Sequence, residues 1–211
     1  MSSAEDLSRV FPTYLTDATR KSLEAELKCF LSSNSYFQDP FTSYKNDFFL
    51  QGDVLRKVPF PNWDKGSFVT FNDSNCIILS NTCDIDPNNT RMTPLDCVLA
   101  PVLSVEKYQN ILRKLGYSEE RIKSFHNNLI SYKISNLFYL PMDEKFSYSK
   151  SSKGYFASLD KAFSLPRSVL DLNQHTKSLN QFSSYLFTFQ ISVNFCRFHD
   201  KVDRDANLCF Q

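Results

Sequence analysis

Cys76-Ile-Ile-Leu-Ser-Asn-Thr-Cys83-Asp84-Ile85 is a short apolar run that passes straight into a polar turn bearing a Cys-Asp pair. A brief continuous apolar run bounded by turn residues reads as a buried strand. Downstream, Val98-Leu-Ala-Pro-Val-Leu103 is a second run of the same kind. Upstream stand Gly52-Asp53-Val54-Leu55 and Gly66-Ser-Phe-Val-Thr-Phe71. Short strands in this order predict an α+β protein built on a small antiparallel β-barrel.

Outward from that frame, Thr16-Asp17 is a helix start, and Leu23, Leu27, Phe30 and Leu31 make one apolar stripe over about 17–32. Residues 33–46 are rich in Ser, Asn and Tyr and read as a connector. Residues 1–46 are thus a helical lead-in, and 47–211 a single domain of barrel and helices. Within 48–58 the pattern gives one or two strands. Pro59-Phe-Pro-Asn-Trp63 reads as a loop, because two prolines disrupt regular pairing. Asn72-Asp-Ser-Asn75 is a run of turn formers and predicts the hairpin into Cys76. Residues 81–96 form a long polar loop, a length often associated with function.

Two inserted helices follow, Ser104 capping Val105–Leu115 and Ser118 opening the next to about Tyr132, with Gly116 between them. Leu137–Leu140 and Gly154–Phe163 read as strands flanking a polar hairpin tip at 143–153, and Pro166 starts a helical turn. The last helix spans about 177–202. Phe182, Leu186, Phe189, Val193 and Cys196 form a heptad-like seam, and Phe187, Ile191, Phe195 and Phe198 a second apolar face. A helix apolar on two faces is either buried from two sides or shared with a partner protein or a second copy.

Charge is balanced, 24 Lys+Arg against 23 Asp+Glu, so no global field selects nucleic acid or acidic lipid. Twenty Phe and ten Tyr suit both a core and an interface, whereas four Gly argue against Gly-rich phosphate loops. The six cysteines, at 29, 76, 83, 97, 196 and 209, show no C-x-x-C or Cys/His zinc spacing. They read as free thiols of a cytoplasmic protein, with no metal and no cofactor. The polar N-terminus carries no signal-peptide pattern, and the apolar stretch near 185–198 is broken by polar residues, which predicts no membrane span.

The β region resembles the PemK/MazF-type toxins, an SH3-like barrel family. Gly52-Asp53-Val54 matches that family's opening strand, Ile77-Ile-Leu-Ser80-Asn81 its second, and Val98-Leu-Ala-Pro101-Val102 its third. The resemblance covers residues 50–104 and implies cleavage of single-stranded RNA. The family carries an Arg before the second strand and a Ser or Thr after the third. Here stand Asp73-Ser74-Asn75 and Ser104, with Arg56, Lys57 and Arg91 as off-motif cations. Ser80, Thr82-Cys83-Asp84-Ile85, Phe138-Tyr-Leu-Pro141 and Phe195-Cys-Arg197-Phe198 also resemble an uncharacterised bacterial and phage-associated family, over residues 50–200. That resemblance implies a mobile-element or defence context and no particular reaction.

The chemistry-bearing groups sort by what surrounds them. Cys83 as a nucleophile needs a cation, a His or a helix N-terminus, and the adjacent Asp84 works against thiolate formation. Asp84, Asp86 and Asp96 lack the Gly and Glu of a calcium loop. His199 and Asp200 are helix neighbours and diverge by about 100°. Arg197, set among aromatic residues, has Asp84 as its candidate partner, a pair tying the Cys-Asp turn to the last helix. Arg56 and Lys57 beside Phe60 and Trp63, with Arg91, are the candidate binding set for a partner protein or a single strand of nucleic acid. The sequence therefore points to a non-enzymatic binding or scaffold component of a bacterial or phage toxin–antitoxin-like or defence system. A divergent PemK/MazF-type endoribonuclease, using Ser104, and a thiol enzyme centred on Cys83 are the alternatives.

Overall fold

The computed structural model describes residues 18, 21–26, 28, 40–42, 47–89, 92, 95–142 and 152–195. It is a mixed α+β structure around one antiparallel sheet. The strands are β1 (Phe41–Thr42), β2 (Val54–Asp64), β3 (Ser67–Ile78), β4 (Asp96–Ser104), β5 (Leu137–Leu140), β6 (Tyr155–Ser158), β7 (Phe163–Pro166) and β8 (His175–Leu179). Their order is β1-β8-β2-β3-β4-β6-β5, with β7 also on β4. Among the described residues the sheet is open, with β1 and β5 at its ends, and does not close into a barrel. The helices are α1 (Thr82–Ile85), α2 (Val105–Lys114), α3 (Glu119–Ile130) and α4 (Gln181–Phe195). At the N-terminal end, residues 21–26 are helical, as expected, and Leu23 is buried.

Cys76–Leu79 and Leu99–Val102 are buried on both faces, with side chains alternating between two cores, whereas Val98 is exposed. Val54, Ile77, Ala100 and Val102 face one cluster with Phe138, Leu140 and Phe187. Leu55, Cys76, Ile78, Cys97 and Leu99 face the other with Phe49, Ile85 and Leu170. α2 and α3 pack Val105 and Leu129 against Leu137, Tyr139 and Phe156 in a third cluster. β6 and β7 behave as one strand along β4. Val102 pairs with Ala157 and Leu99 with Phe163, so the β6–β7 side carries three extra residues, taken up by the turn at Leu159–Lys161.

Several sequence expectations are corrected here. Pro59–Trp63 is strand, not loop. β8 pairs with β2 only at Val54 and Leu55, so among the described residues β2 is an edge farther out, where a proline's missing N–H is tolerated. The hairpin turn is not at Asn72–Asn75, which lies within β3. It is Lys65-Gly66, with φ 48° and 82° between the paired Asp64 and Ser67, the two-residue geometry that matches strand twist. Residues 41–42, expected in a connector, add β1 to the sheet by pairing with Leu179 and Ser178. The last helix begins at Gln181 rather than 177, because His175–Leu179 is taken by strand pairing.

Within α4, burial does not follow the expected seam. Phe182, Phe187 and Gln190 are buried, while Phe189, Val193 and Phe195 are exposed. Cys196, Arg197, Phe198 and the rest of the expected helix to 202 lie outside the described residues, as do Arg91 and the 143–151 part of the expected hairpin tip. No helix among the described residues is long and apolar enough to cross a membrane.

Candidate functional site

The expected Cys-Asp corner is built around α1. Asn81 caps it by accepting from the Cys83 N–H at 2.9 Å. Thr82 Oγ1 accepts from the Gln51 N–H at 3.0 Å, and the Gln51 side chain donates to the Leu79 carbonyl at 2.7 Å. Arg167 donates to the Ile85 carbonyl at 2.6 Å and lies 6.0 Å from the Phe49 ring. The corner is therefore tied to the sheet by Gln51 and Arg167, two residues that sequence reasoning passed over. The expected Asp84–Arg197 pair has one member outside the described residues.

Cys83 is exposed, whereas Cys76 and Cys97 are buried free thiols. Burial pushes the Cys76 thiol far up, and raises Cys97 to about 11 despite its hydrogen bond to Ser80. In the folded protein Cys83 is expected to react with iodoacetamide while Cys76 and Cys97 stay protected until unfolding. Peptide mapping by mass spectrometry checks this, and labelling of Cys97 at the Cys83 rate would contradict the packing of the second core.

The surface set comes together differently from the sequence expectation. Arg56 and Lys57 sit in a bulge of β2, with Lys57 at φ 55° and its carbonyl held by Gln174 at 2.9 Å. Trp63 stands at the far end of the β2–β3 ribbon, roughly 20 Å away at the rise of a strand. Its partner is Phe68 instead, directly across the hairpin, with ring centroids 6.1 Å apart in an edge-on pair. Trp63 is 71% and Phe68 62% exposed. On the opposite face of the ribbon Phe71, half exposed, packs 6.3 Å from Phe60, which is itself anchored on Phe163 at 5.2 Å. Phe68 was legible only once the turn was placed at Lys65-Gly66, since that turn sets it opposite Trp63.

At the base of the ribbon lies a cleft of about 210 Å³ between β3 and β4. Asp73, Ser74 and Asn75 line one side, Pro101 to Ser104 the other, with Phe60, Tyr155 and Lys107 completing it. Ser104 caps α2, its hydroxyl accepting from the Lys107 N–H at 3.3 Å. The cleft thus joins the expected Ser104 to the segment that precedes the Cys76 strand, and adds Lys107, a cation absent from the sequence reading. No group of three or more potential metal ligands occurs among the described residues.

A Ser-His-Asp constellation also exists, from Ser178, His175 and Asp53. His175 Nε2 lies 3.0 Å from Ser178 Oγ and 3.7 Å from Asp53 Oδ1. A relay needs serine and carboxylate on opposite ring nitrogens. Here both face the same nitrogen and Ser178 is buried, so the group is a structural seam between β8 and the start of β2.

Comparison with known proteins finds no matching family model, no matching curated protein and no matching solved structure.

Proposed function

We propose that this protein is a non-enzymatic binding component that docks a partner protein on the β2–β3 ribbon, with Trp63 and Phe68 as its anchors. The observation that carries this reading is the edge-on Trp63–Phe68 pair held outside every core cluster at the end of a regular hairpin. Rigid aromatic side chains dominate binding energy where a partner desolvates them. Charge on the ribbon is mixed, with Arg56, Lys57 and Lys65 against Asp64 and Asp73. That mixture suits a protein surface better than a phosphate backbone, which calls for a basic track. Phe189, Val193 and Phe195 on α4 are a smaller second contact, for the same partner or for a second copy of the chain. The sequence resemblance of residues 50–104 to PemK/MazF-type toxins, and of residues 50–200 to the phage-associated family, suggests a cytoplasmic toxin–antitoxin-like or defence setting.

Trp63 is the chain's single tryptophan, so its emission reports the ribbon tip directly. A partner recovered by pull-down from the native host is expected to shift that emission to the blue. Trp63→Ala and Phe68→Ala are each expected to weaken binding by about 2 kcal/mol, roughly thirtyfold. Their unfolding free energies are expected to change by less than about 0.5 kcal/mol. Undiminished capture by the double variant, or recovery of RNA in place of a protein, would sink this reading.

A second reading, a divergent endoribonuclease of the PemK/MazF type, is favoured by the cleft. Asp73 is a base for the 2′-hydroxyl proton, and Lys107 is a cation for the developing phosphate charge. Mixed RNA incubated with the protein in EDTA is then cut, and Lys107→Ala abolishes the cutting. RNA left intact at high protein excess removes this alternative.

A further inference from the structure

We propose that an extended segment of a partner polypeptide adds as a strand to the inner edge of β3 and ends in the cleft between β3 and β4. This rests on the binding-component reading and adds how the partner's backbone is held. β3 pairs with β2 from Ser67 to Ile77, with a register shift that leaves an extra residue in β3 between Phe71 and Ser74, but with β4 only at Cys76, Ile77 and Ile78. β4 leaves β3 after Pro101 and gives Val102, Leu103 and Ser104 to β6. The sheet therefore forks at the Cys76–Pro101 pair. Two edges diverge from that point, neither with a strand partner in the fork among the described residues.

The direction of the backbone groups follows from neighbouring bonds. The Ile78 N–H donates to the Asp53 carbonyl, and its own carbonyl accepts from the Gly52 N–H, both at 2.9 Å. By the two-residue alternation, Ile77 and Asn75 turn theirs away from β2, toward β4 and into the fork. An unpaired edge of this kind presents alternating donors and acceptors and is a template for another strand. The extra residue between Phe71 and Ser74 interrupts the alternation, so the edge is a short stretch at Ser74–Asn75 beside the cleft and a longer one at Ser67–Phe71. The outer edge of the same ribbon is treated differently. Pro59 and Pro61 blunt β2, whereas Ser67–Asn75 contains neither proline nor lysine.

The alternation also selects the class of occupant. A polypeptide supplies donors and acceptors in turn. A nucleic-acid backbone supplies phosphate acceptors and negative charge, which Asp73 on the rim opposes. The rims of the cleft carry mixed charge, Asp73 on one and Lys107 on the other, with Glu106 in the first turn of α2, which suits a polypeptide better than a phosphate backbone. The occupant is thus an extended peptide.

The test pans the full chain against a phage-displayed library of random linear peptides and remakes the enriched ones synthetically. Peptides that bind in extended form are expected to be enriched. N-methylation at alternate residues is expected to weaken them roughly tenfold or more, and at the intervening residues far less, because only one set of N–H groups faces β3. Asn75→Pro is expected to lower affinity comparably. If Asn75→Pro does not fold, the N-methylation pattern still decides. Four results would overturn the proposal: no enriched peptide, indifference to N-methylation, single-stranded oligonucleotide bound in the cleft instead, or a dimer of the chain that Asn75→Pro dissolves. None of these touches the ribbon-tip reading, which Trp63 emission with the recovered partner decides separately.

Discussion

Phe187→Ala is expected to lower the unfolding free energy by about 3–5 kcal/mol, the range for emptying a fully buried aromatic site. Phe187 has no exposed surface and sits where α4 meets the sheet, its ring 4.8 Å from that of Phe138 in a T-shaped contact. Its cluster includes Val54, Ile77, Ala100 and Val102, so the cavity would open beside β2, β3 and β4 together. Nearby Gln190 holds the approach to β5 by donating to the carbonyls of Ile134 at 2.8 Å and Leu137 at 2.5 Å. Losing Phe187 therefore loosens a helix that still has a polar anchor. Urea unfolding of Phe187→Ala beside Phe189→Ala reads this directly. The exposed Phe189 is expected to matter by less than about 0.5 kcal/mol. Equal losses for the two variants would mean that α4 does not dock through Phe187.

Gly154→Ala is expected to be nearly as damaging, about 2–5 kcal/mol from a left-handed backbone together with forced overpacking. Gly154 has φ +77°, and a Cβ there would meet the Leu140 carbonyl oxygen at 2.7 Å and the Tyr139 hydroxyl at 2.8 Å. The first of these is backbone of the neighbouring strand and cannot rotate away. Gly154 also accepts from the Val105 N–H at 3.1 Å, so displacing it disturbs the start of α2. Thermal unfolding is the check. A midpoint unchanged from wild type would show that β5 and β6 separate freely at this end. Gly66→Ala shares the positive φ with nothing within 4 Å of the added atom, and isolates the backbone cost from the clash.

The frame that could be read from the chain was the part where local pattern and tertiary burial agree. Cys76–Leu79 and Leu99–Val102 are apolar without interruption because β3 and β4 lie between two cores there, and no other local preference competes. The helix caps at Ser104 and Ser118 were legible for the same reason: a single side chain settles each end. Misreadings arose where pairing overrode local chemistry. Asn72–Asn75 has the strongest turn composition in the region, yet β2 holds it as strand, and the turn falls on Lys65-Gly66. Pro59 and Pro61 argued against a strand that becomes tolerable on a free edge. Lys177–Leu179 looked like the start of the last helix until its partners, β1 and β2, were known.

The candidate site was legible only in pieces. Ser104 and the Asp73–Asn75 segment were marked from a resemblance, and Trp63 from its aromatic and basic neighbours. Lys107 joined them because α2 starts where β4 leaves β3, a matter of topology that spacing along the chain does not encode. Arg56 and Lys57 were grouped with Trp63 by sequence proximity, and an extended ribbon pulls such neighbours apart.

The position of β8 bears on how the chain reaches this structure. β8 lies between β1 and β2 and pairs Leu179 with Phe41 across most of the chain, whereas the β2–β3 ribbon closes through two residues. Local contacts cost little loop entropy and form early; distant ones wait for everything between them. The ribbon is thus poised to form first and the β1–β8–β2 seam last. Until that seam arrives, the inner end of β2 at Val54 and Leu55 is open to strangers, and the search for its proper neighbour sets the pace of folding.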